Sequence, residues 1–545
     1  ANIVFRLFFI LCIILQPSVL ATLESSHTNA FAQERQPPRI EGSEISEYLE
    51  RQKGNHLPDP ANERIASSDV LTTSLLDRNI AYQAHVNRTL VYDRHDVFPP
   101  FELVSFSYES AELDRDPDRP VIFLFYGGPG SSAIWLHLTA LGPEKLSVDL
   151  LQAAETGFEY TQAPNPGFLI DVADLVFVDP VGTGLSRPIE DGDEAAFKGL
   201  RVDVRSMCRF AETWLEANQR TNAPVYLAGA SYGSLRIAGM STHSQCRKLR
   251  KQIRGLIFLS GLLDLTARSP SSANSHIGLF PTSAALAWDL GLIDTTKWNA
   301  DLKTFLDRAK SLALSEIAPA LFEDFTNTSG LAVERQTRVL SFLEMAGDLE
   351  SAAQMRYLLG GIRNFIRNNR PLCQYDGRFD CGGHGHYLPS IGLPEFALKL
   401  ERVLEDQLAQ TMGYELDRDA YKAFRRGEFV YNWSMWFSSS SHSGLGTNMA
   451  SVLHRSWTNH YMAQQRSGAN PRRLKLMVAS GSYDLITPFF AMELALRNAG
   501  FPASDLEIKT YSGGHMFYLD EKTGHQLAAD IRSFVSSEDD APTPP

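Results

Sequence analysis

The pentapeptide Gly229-Ala230-Ser231-Tyr232-Gly233 closes an apolar run, VYLAG (225–229), and opens a helical stretch, SLRIAGMSTHS (234–244). G-x-S-x-G alone is a weak pattern. Set between a strand and a helix it makes a nucleophile elbow, a sharp turn that exposes the serine while the flanking glycines avoid clashes. The Tyr232 backbone N–H, at the helix N-terminus, then faces any oxyanion developing on a substrate carbonyl. A serine hydroxyl is a weak nucleophile and needs a base, and the base needs an acid to orient it. On scaffolds that carry such an elbow these follow in the order Ser, Asp/Glu, His, each just past a strand. Asp484 follows LKLMVASG (474–481) and His515 follows LEIKTY (506–511) within Gly513-Gly514-His515. Singly, the first reads as a turn-capping aspartate and the second as a loop histidine. Their joint order and strand-end placement make Ser231, Asp484 and His515 a candidate catalytic triad. His384 and His386 lie in a helical insertion and His525 within a helix, which fits the role less well. A second oxyanion donor is expected from the loop after VIFLFY (121–126), Gly127-Gly128-Pro129-Gly130. Glycines there let the backbone N–H of Gly128 approach a reacting carbonyl, and Pro129 stiffens the turn.

The elements that must hold these residues are legible as apolar runs. Residues 121–126, 174–179, 225–229 and 256–260 are apolar on both faces and alternate with helical stretches such as 199–219 and 234–249. That pattern predicts a mostly parallel sheet covered by helices on both sides. Two alternating runs, AYQAHVNRTLVY (81–92) and FELVSFSYES (101–110), predict antiparallel strands that open the sheet. The rhythm stops after about residue 265 and resumes with strands at 474–481 and 506–511 and helices at 489–499 and 523–535. A helical block inserted between parallel strands reads as a cap over the sheet's carboxyl edge, where ligands bind in such folds. The expected organisation is a leader at 1–32, an extended lead-in at 33–79, a core at 80–265, a mainly helical cap at 266–470, a second part of the core at 471–535 and a disordered tail at 536–545.

Composition bounds the function class. The chain has 545 residues, 43% hydrophobic and 21% charged, which is ordinary for a folded globular protein. A net charge of −13, from 64 acidic and 51 basic residues, argues against a general nucleic-acid binder. The apolar run Leu7–Leu15 is shorter than the ~20 residues a membrane helix requires, so no stable membrane span is expected. The run suits the core of an export signal, followed by the small-residue sites Val19-Leu20-Ala21 and Ala30-Phe31-Ala32. Export to the periplasm or medium is the expectation, and such compartments permit disulfides. Beyond Cys12, four cysteines allow three pairings, of which Cys208 with Cys246 and Cys373 with Cys381 is the most local; four buried free thiols are the alternative. Cys381, His384 and His386 lack a second ligand pair at finger spacing, and no metal is expected. The sequons at Asn87, Asn327 and Asn432 matter only in a eukaryotic secretory pathway. The aromatic run Tyr431–Phe437 reads first as packing and second as an apolar subsite.

Five blocks in order carry a resemblance: GGPGSS (127–132) with Leu141-Gly142-Pro143, DLVFVDPVGTGLSRP (174–188), GASYG (229–233), YDLITPFF (483–490) and GGHMFY (513–518). Between about residues 80 and 535 the chain resembles the serine carboxypeptidases, particularly their bacterial branch. The resemblance implies an α/β-hydrolase fold with a helical cap, Ser231, Asp484 and His515 as the triad, and the Gly128 and Tyr232 N–H groups as the oxyanion hole. It implies a peptide substrate and no cofactor. The chain departs from the family at the residues that hydrogen-bond the free carboxylate of a C-terminal substrate. Family members usually carry Asn before the two glycines, Glu before the nucleophile and, in many, Glu before Leu-Gly-Pro. Here those positions are Tyr126, Ala230 and Ala140. Tyr126 still offers a hydrogen bond, whereas Ala230 and Ala140 cannot. Losing a buried, charge-assisted contact costs about 2–4 kcal/mol. Arg236 is a candidate replacement partner for the carboxylate, against the commoner fate of an arginine paired inside the fold. The expectation is a serine-type carboxypeptidase with an atypical carboxylate-recognition site. The alternative, raised by Tyr126 and Ala230, is an esterase, acyltransferase or other serine hydrolase on the same scaffold. A non-catalytic binding protein is the third class, and the intact triad argues against it.

Overall fold

The computed structural model describes residues 61–91, 100–112, 116, 118–189, 196–323, 329–345, 354–368, 370–382, 387–425, 448–468, 471 and 473–537. The leader, His384 and His386, the sequons at Asn327 and Asn432, the run 431–437 and the tail beyond 537 lie outside these residues.

Thirteen strands are present among the described residues: β1 (Ala61–Ser67), β2 (Leu71–Leu75), β3 (Arg78–Val91), β4 (Phe101–Ser110), β5 (Val121–Phe125), β6 (Glu144–Ser147), β7 (Thr161–Pro164), β8 (Asp174–Val178), β9 (Arg187–Pro188), β10 (Val225–Ala230), β11 (Ile253–Leu259), β12 (Lys475–Gly481) and β13 (Leu506–Tyr511). Eleven form one sheet in the order β1-β3-β4-β8-β5-β10-β11-β12-β13, with β2 on β3 and β9 on β4, while β6 and β7 pair separately. From β8 to β13 neighbours run parallel, and the pairs on the β1–β4 side are antiparallel.

Continuous apolarity in the parallel strands has a direct cause, because each strand feeds two cores. Ile122 and Leu124 of β5, Leu175 and Phe177 of β8, and Tyr226 and Ala228 of β10 enter one apolar cluster. Val121, Phe123 and Phe125, Val176 and Val178, and Val225 and Leu227 enter the other. With side chains alternating across the sheet, only a strand covered on both faces keeps such a run. The expected helix over 199–219 is Leu200–Ala217, whose Val204, Met207, Phe210, Ala211 and Trp214 line the second cluster. The helix expected over 234–249 stops at Thr242, because His243 is extended (φ −65°, ψ 139°) and its ring caps Gln245 N–H; a 3-10 turn and the short helix Arg247–Gln252 follow.

Two strands lie within the segment expected as a lead-in. β1, ANERIAS, has no apolar alternation and takes strand form by pairing with the long β3. β2 pairs β3 through the Leu76–Asp77 turn, where both residues have positive φ. Asn87 on β3 is buried and donates to Ser107 Oγ at 2.8 Å, so its sequon is closed to a glycan in the folded chain.

The α-helices between β11 and β12 divide their buried apolar side chains among three clusters. Helices Ala273–Asp289, Leu302–Leu312 and Met355–Arg367 share a cluster with Tyr483, Phe489, Phe490 and Leu494. Helix Leu393–Met412 packs Phe396, Leu400, Leu404 and Leu408 into the first sheet cluster, and helix Met449–Arg466 packs Leu453 and Trp457 into the second. Both disulfides are the local pairs, Cys208–Cys246 and Cys373–Cys381. Among the described residues no helix is long and apolar enough to cross a membrane.

Candidate active site

The parallel register aligns the carboxyl ends of β5, β10, β11, β12 and β13, so the loops that follow them emerge along one edge. Ser231 follows β10 at φ +53°, a left-handed backbone that side-chain-bearing residues seldom adopt. Its N–H donates to the Leu259 carbonyl at 2.9 Å and its carbonyl accepts from Ser234 N–H at 3.0 Å, which fixes the turn on both sides. The glycines of the motif are steric requirements. A Cβ at Gly229 would lie 2.3 Å from the Gly233 carbonyl oxygen, and one at Gly233 would lie 2.7 Å from that of Phe125.

The glycine loop after β5 lies against this elbow, since a Cβ at Gly127 would come within 2.7 Å of Tyr232 N. Gly128 has φ +104°, and a Cβ there would meet Gly130 N at 2.8 Å. Tyr232 is helical (φ −55°, ψ −29°) and caps Gly233–Thr242, so its N–H belongs to the first turn. The two expected oxyanion donors therefore sit on adjoining loops.

Asp484 and His515 meet directly. Asp484 Oδ2 lies 2.7 Å from His515 Nδ1, and the two side chains are 0% and 2% exposed. Asp484 Oδ1 accepts from the N–H groups of Ile486 (2.8 Å) and Thr487 (3.0 Å). Thr487 Oγ1 lies 2.6 Å from Asp484 Oδ2 and 2.8 Å from the Ser260 carbonyl oxygen. So many donors hold the carboxylate as an acceptor, which puts the imidazole proton on Nδ1 and leaves Nε2 as the basic nitrogen.

Arg236 is engaged inside the fold. It is 2% exposed, its Nε donates to both carboxylate oxygens of Asp203 (3.1 and 2.9 Å), and its Nη1 donates to the Tyr126 carbonyl at 2.7 Å. Tyr232 Oη donates to Asp203 Oδ2 at 2.7 Å, and the guanidinium lies 5.1 Å from the Tyr232 ring centroid. Arginine, aspartate and tyrosine thus tie the elbow to the start of the glycine loop. Tyr126, Ala230 and Ala140 are all buried in the first sheet cluster. The Tyr126 ring stacks on Trp135 (5.7 Å, 17°), and its hydroxyl bonds that of Tyr518, with burial pushing the Tyr126 phenol well above its ordinary value.

Two groups of residues at this edge carried no motif. The strap Tyr421–Arg425 stitches the glycine loop to the Asp179–Ser186 turn. Ala423 carbonyl accepts from Ser132 N–H (3.1 Å) and Trp135 Nε1 (3.0 Å), Lys422 and Gly184 exchange backbone bonds, and Arg425 N–H donates to the Gly130 carbonyl at 2.9 Å. Beneath it Asp179 is fully buried, accepts from Ala133 N–H at 2.8 Å and lies against the Tyr421 hydroxyl. Burial raises its carboxyl to about 7, against those bonds and the more distant Arg187. The second group is the loop 373–381, whose Tyr375 ring lies 4.7 Å from the His515 ring. The close cysteine spacing was the one sequence signal that marked it.

A family model described as serine carboxypeptidase matches residues 105–526. No curated protein matches. Among solved structures, a prohormone-processing carboxypeptidase from Saccharomyces cerevisiae is 16% identical, over 83% of this chain and 90% of that one, with a TM-score of 0.45. A homoserine O-acetyltransferase from Bacillus anthracis is 10% identical over 88% and 99% of the two chains, with a TM-score of 0.33. A soluble variant of monoglyceride lipase from Saccharomyces cerevisiae is 12% identical over 82% and 97%, with a TM-score of 0.31. Likeness at these identities concerns the fold alone.

Proposed function

The chain belongs to the serine carboxypeptidase family and is a serine hydrolase, and from that premise we propose that it releases residues from the carboxyl end of peptides through an acyl-enzyme on Ser231. Ser231 Oγ attacks the scissile carbonyl while His515 Nε2 takes its proton. The Gly128 and Tyr232 N–H groups receive the oxyanion. His515 returns the proton to the leaving amine, and water then attacks the ester under the same base. The observation that carries this reading is the buried Asp484–His515 pair at 2.7 Å, with Asp484 held by the Ile486 and Thr487 donors, on loops that leave the same sheet edge as the elbow at φ +53°.

Carboxylate recognition in this proposal is atypical. Tyr126 replaces the family's asparagine, and its hydroxyl, paired with Tyr518, is a neutral donor; Ala230 and Ala140 offer none. Arg236 is engaged with Asp203, which favours a bracing role over substrate binding. The same burial of Tyr126, Ala230 and Ala140 favours a second reading, in which the leaving group is neutral and the enzyme is an esterase or acyltransferase. The two disulfides and the apolar run Leu7–Leu15 support export, and the motif blocks support the bacterial branch.

Mass spectrometry of a peptide ladder tests the reading. Stepwise shortening from the carboxyl end, absent in Ser231→Ala, is expected; internal cleavage, or shortening that survives in Ser231→Ala, would overturn it.

A further inference from the structure

The loop closed by Cys373–Cys381 belongs to the helical block, yet its backbone bonds join both loops that carry the acid and the histidine. Gln374 carbonyl accepts from Leu485 N–H at 3.1 Å, Tyr375 carbonyl accepts from His515 N–H at 2.5 Å, and Gly377 N–H donates to the Tyr483 carbonyl at 3.0 Å. The approach is close enough that a Cβ at Gly514 would fall 1.9 Å from the Tyr375 carbonyl oxygen and 2.6 Å from Asp376 Cβ. The Tyr375 ring covers one side of the His515 imidazole, with centroids 4.7 Å apart at 47°. Asp376, buried, pairs with Arg378 at 2.7 Å, and the Arg378 guanidinium lies 4.5 Å from the Tyr483 ring centroid, beside Asp484 in sequence. Cys373 and Cys381 are wholly buried, and the cross-link removes freedom from the loop that makes these contacts.

We infer that this disulfide-closed loop is a positioning element for Asp484 and His515, with Tyr375 as the residue that fixes the imidazole. The inference rests on the triad assignment above. Orientation of the imidazole is needed in the transition state more than in substrate binding, so the loop acts on kcat and on the reactivity of Ser231, with little effect on KM.

The test compares wild type, Tyr375→Ala, Tyr375→Phe, Cys373→Ala/Cys381→Ala and, as a control on the other disulfide, Cys208→Ala/Cys246→Ala. Each is read by the rate of Ser231 labelling with a fluorophosphonate, by kcat and KM, and by thermal midpoint. Tyr375→Ala is expected to lower labelling and kcat by about 10–100-fold, the scale of a displacement of about 1 Å, with KM held within about twofold. Tyr375→Phe, which keeps the ring, should stay within about threefold of wild type. Cys373→Ala/Cys381→Ala should follow Tyr375→Ala, whereas Cys208→Ala/Cys246→Ala should label at the wild-type rate. Wild-type labelling in Tyr375→Ala, or a loss confined to KM, would overturn the inference while leaving the triad standing. If Cys373→Ala/Cys381→Ala fails to fold, the Tyr375 pair decides alone. Wild type unlabelled at Ser231 would overturn the triad and the inference together.

Discussion

Replacing Asp179 by asparagine isolates one buried carboxyl beneath the glycine loop. The side chain is 0% exposed, and burial raises its pKa from 3.8 to about 7. At 1.36 kcal/mol for each tenfold change in proton affinity, the rise from 3.8 to about 7 corresponds to about 4 kcal/mol. The sign follows from the direction. A carboxyl whose folded-state pKa is raised contributes its full stability below about pH 4, and that contribution is lost as pH rises through about 7, because the folded state resists releasing the proton. Asparagine is neutral throughout, has nearly the same shape, and keeps an oxygen for Ala133 N–H and an amide for the Tyr421 hydroxyl. Asp179→Asn should therefore match wild type near pH 4 and exceed it progressively up to pH 8, by as much as about 4 kcal/mol. Urea unfolding followed by tryptophan fluorescence at a series of pH values measures this. Two curves that stay parallel from pH 4 to pH 8, or a variant that loses stability at high pH, would show that burial does not hold the Asp179 proton.

Three further outcomes follow from the same geometry. Asp484→Asn should lower kcat by about 10⁴-fold with little change in KM, because the amide favours the wrong imidazole tautomer; steady-state kinetics would show it. Gly229→Ala should destabilise the fold by about 3 kcal/mol, since the added carbon meets the Gly233 carbonyl at 2.3 Å with only backbone to move, and a lowered unfolding midpoint would report it. If the proposed carboxylate site is right, Tyr126→Asn combined with Ala230→Glu, which puts at these positions the residue types that the resemblance implies, should raise the preference for a free acid over its amide at least about tenfold, measured as a ratio of kcat/KM values.

How much of this was legible in the sequence depends on the kind of signal each residue carries. β5, β8, β10 and β12 announced themselves because both faces are buried, and their boundaries fall within a few residues of the apolar runs. Ser231, Asp484 and His515 were legible as candidates because a strand-end loop leaves a local mark on either side of each residue. β1 left none, since a polar edge strand exists only through its partner β3. Tyr421–Arg425 and Tyr375 were equally silent: their contacts with the glycine loop and with His515 are made by backbone groups and by packing across more than a hundred residues. The placement of Arg236 needed Asp203, 33 residues earlier, which no motif links to it.

The most direct test of the account is hydrolysis of a blocked dipeptide acid beside its matched amide and ester, with Ser231→Ala as control. A carboxypeptidase predicts a kcat/KM for the acid well above that for the amide, with both lost in Ser231→Ala. Rapid turnover of the ester with no preference for the acid would contradict it, leaving the serine hydrolase scaffold with a different specificity.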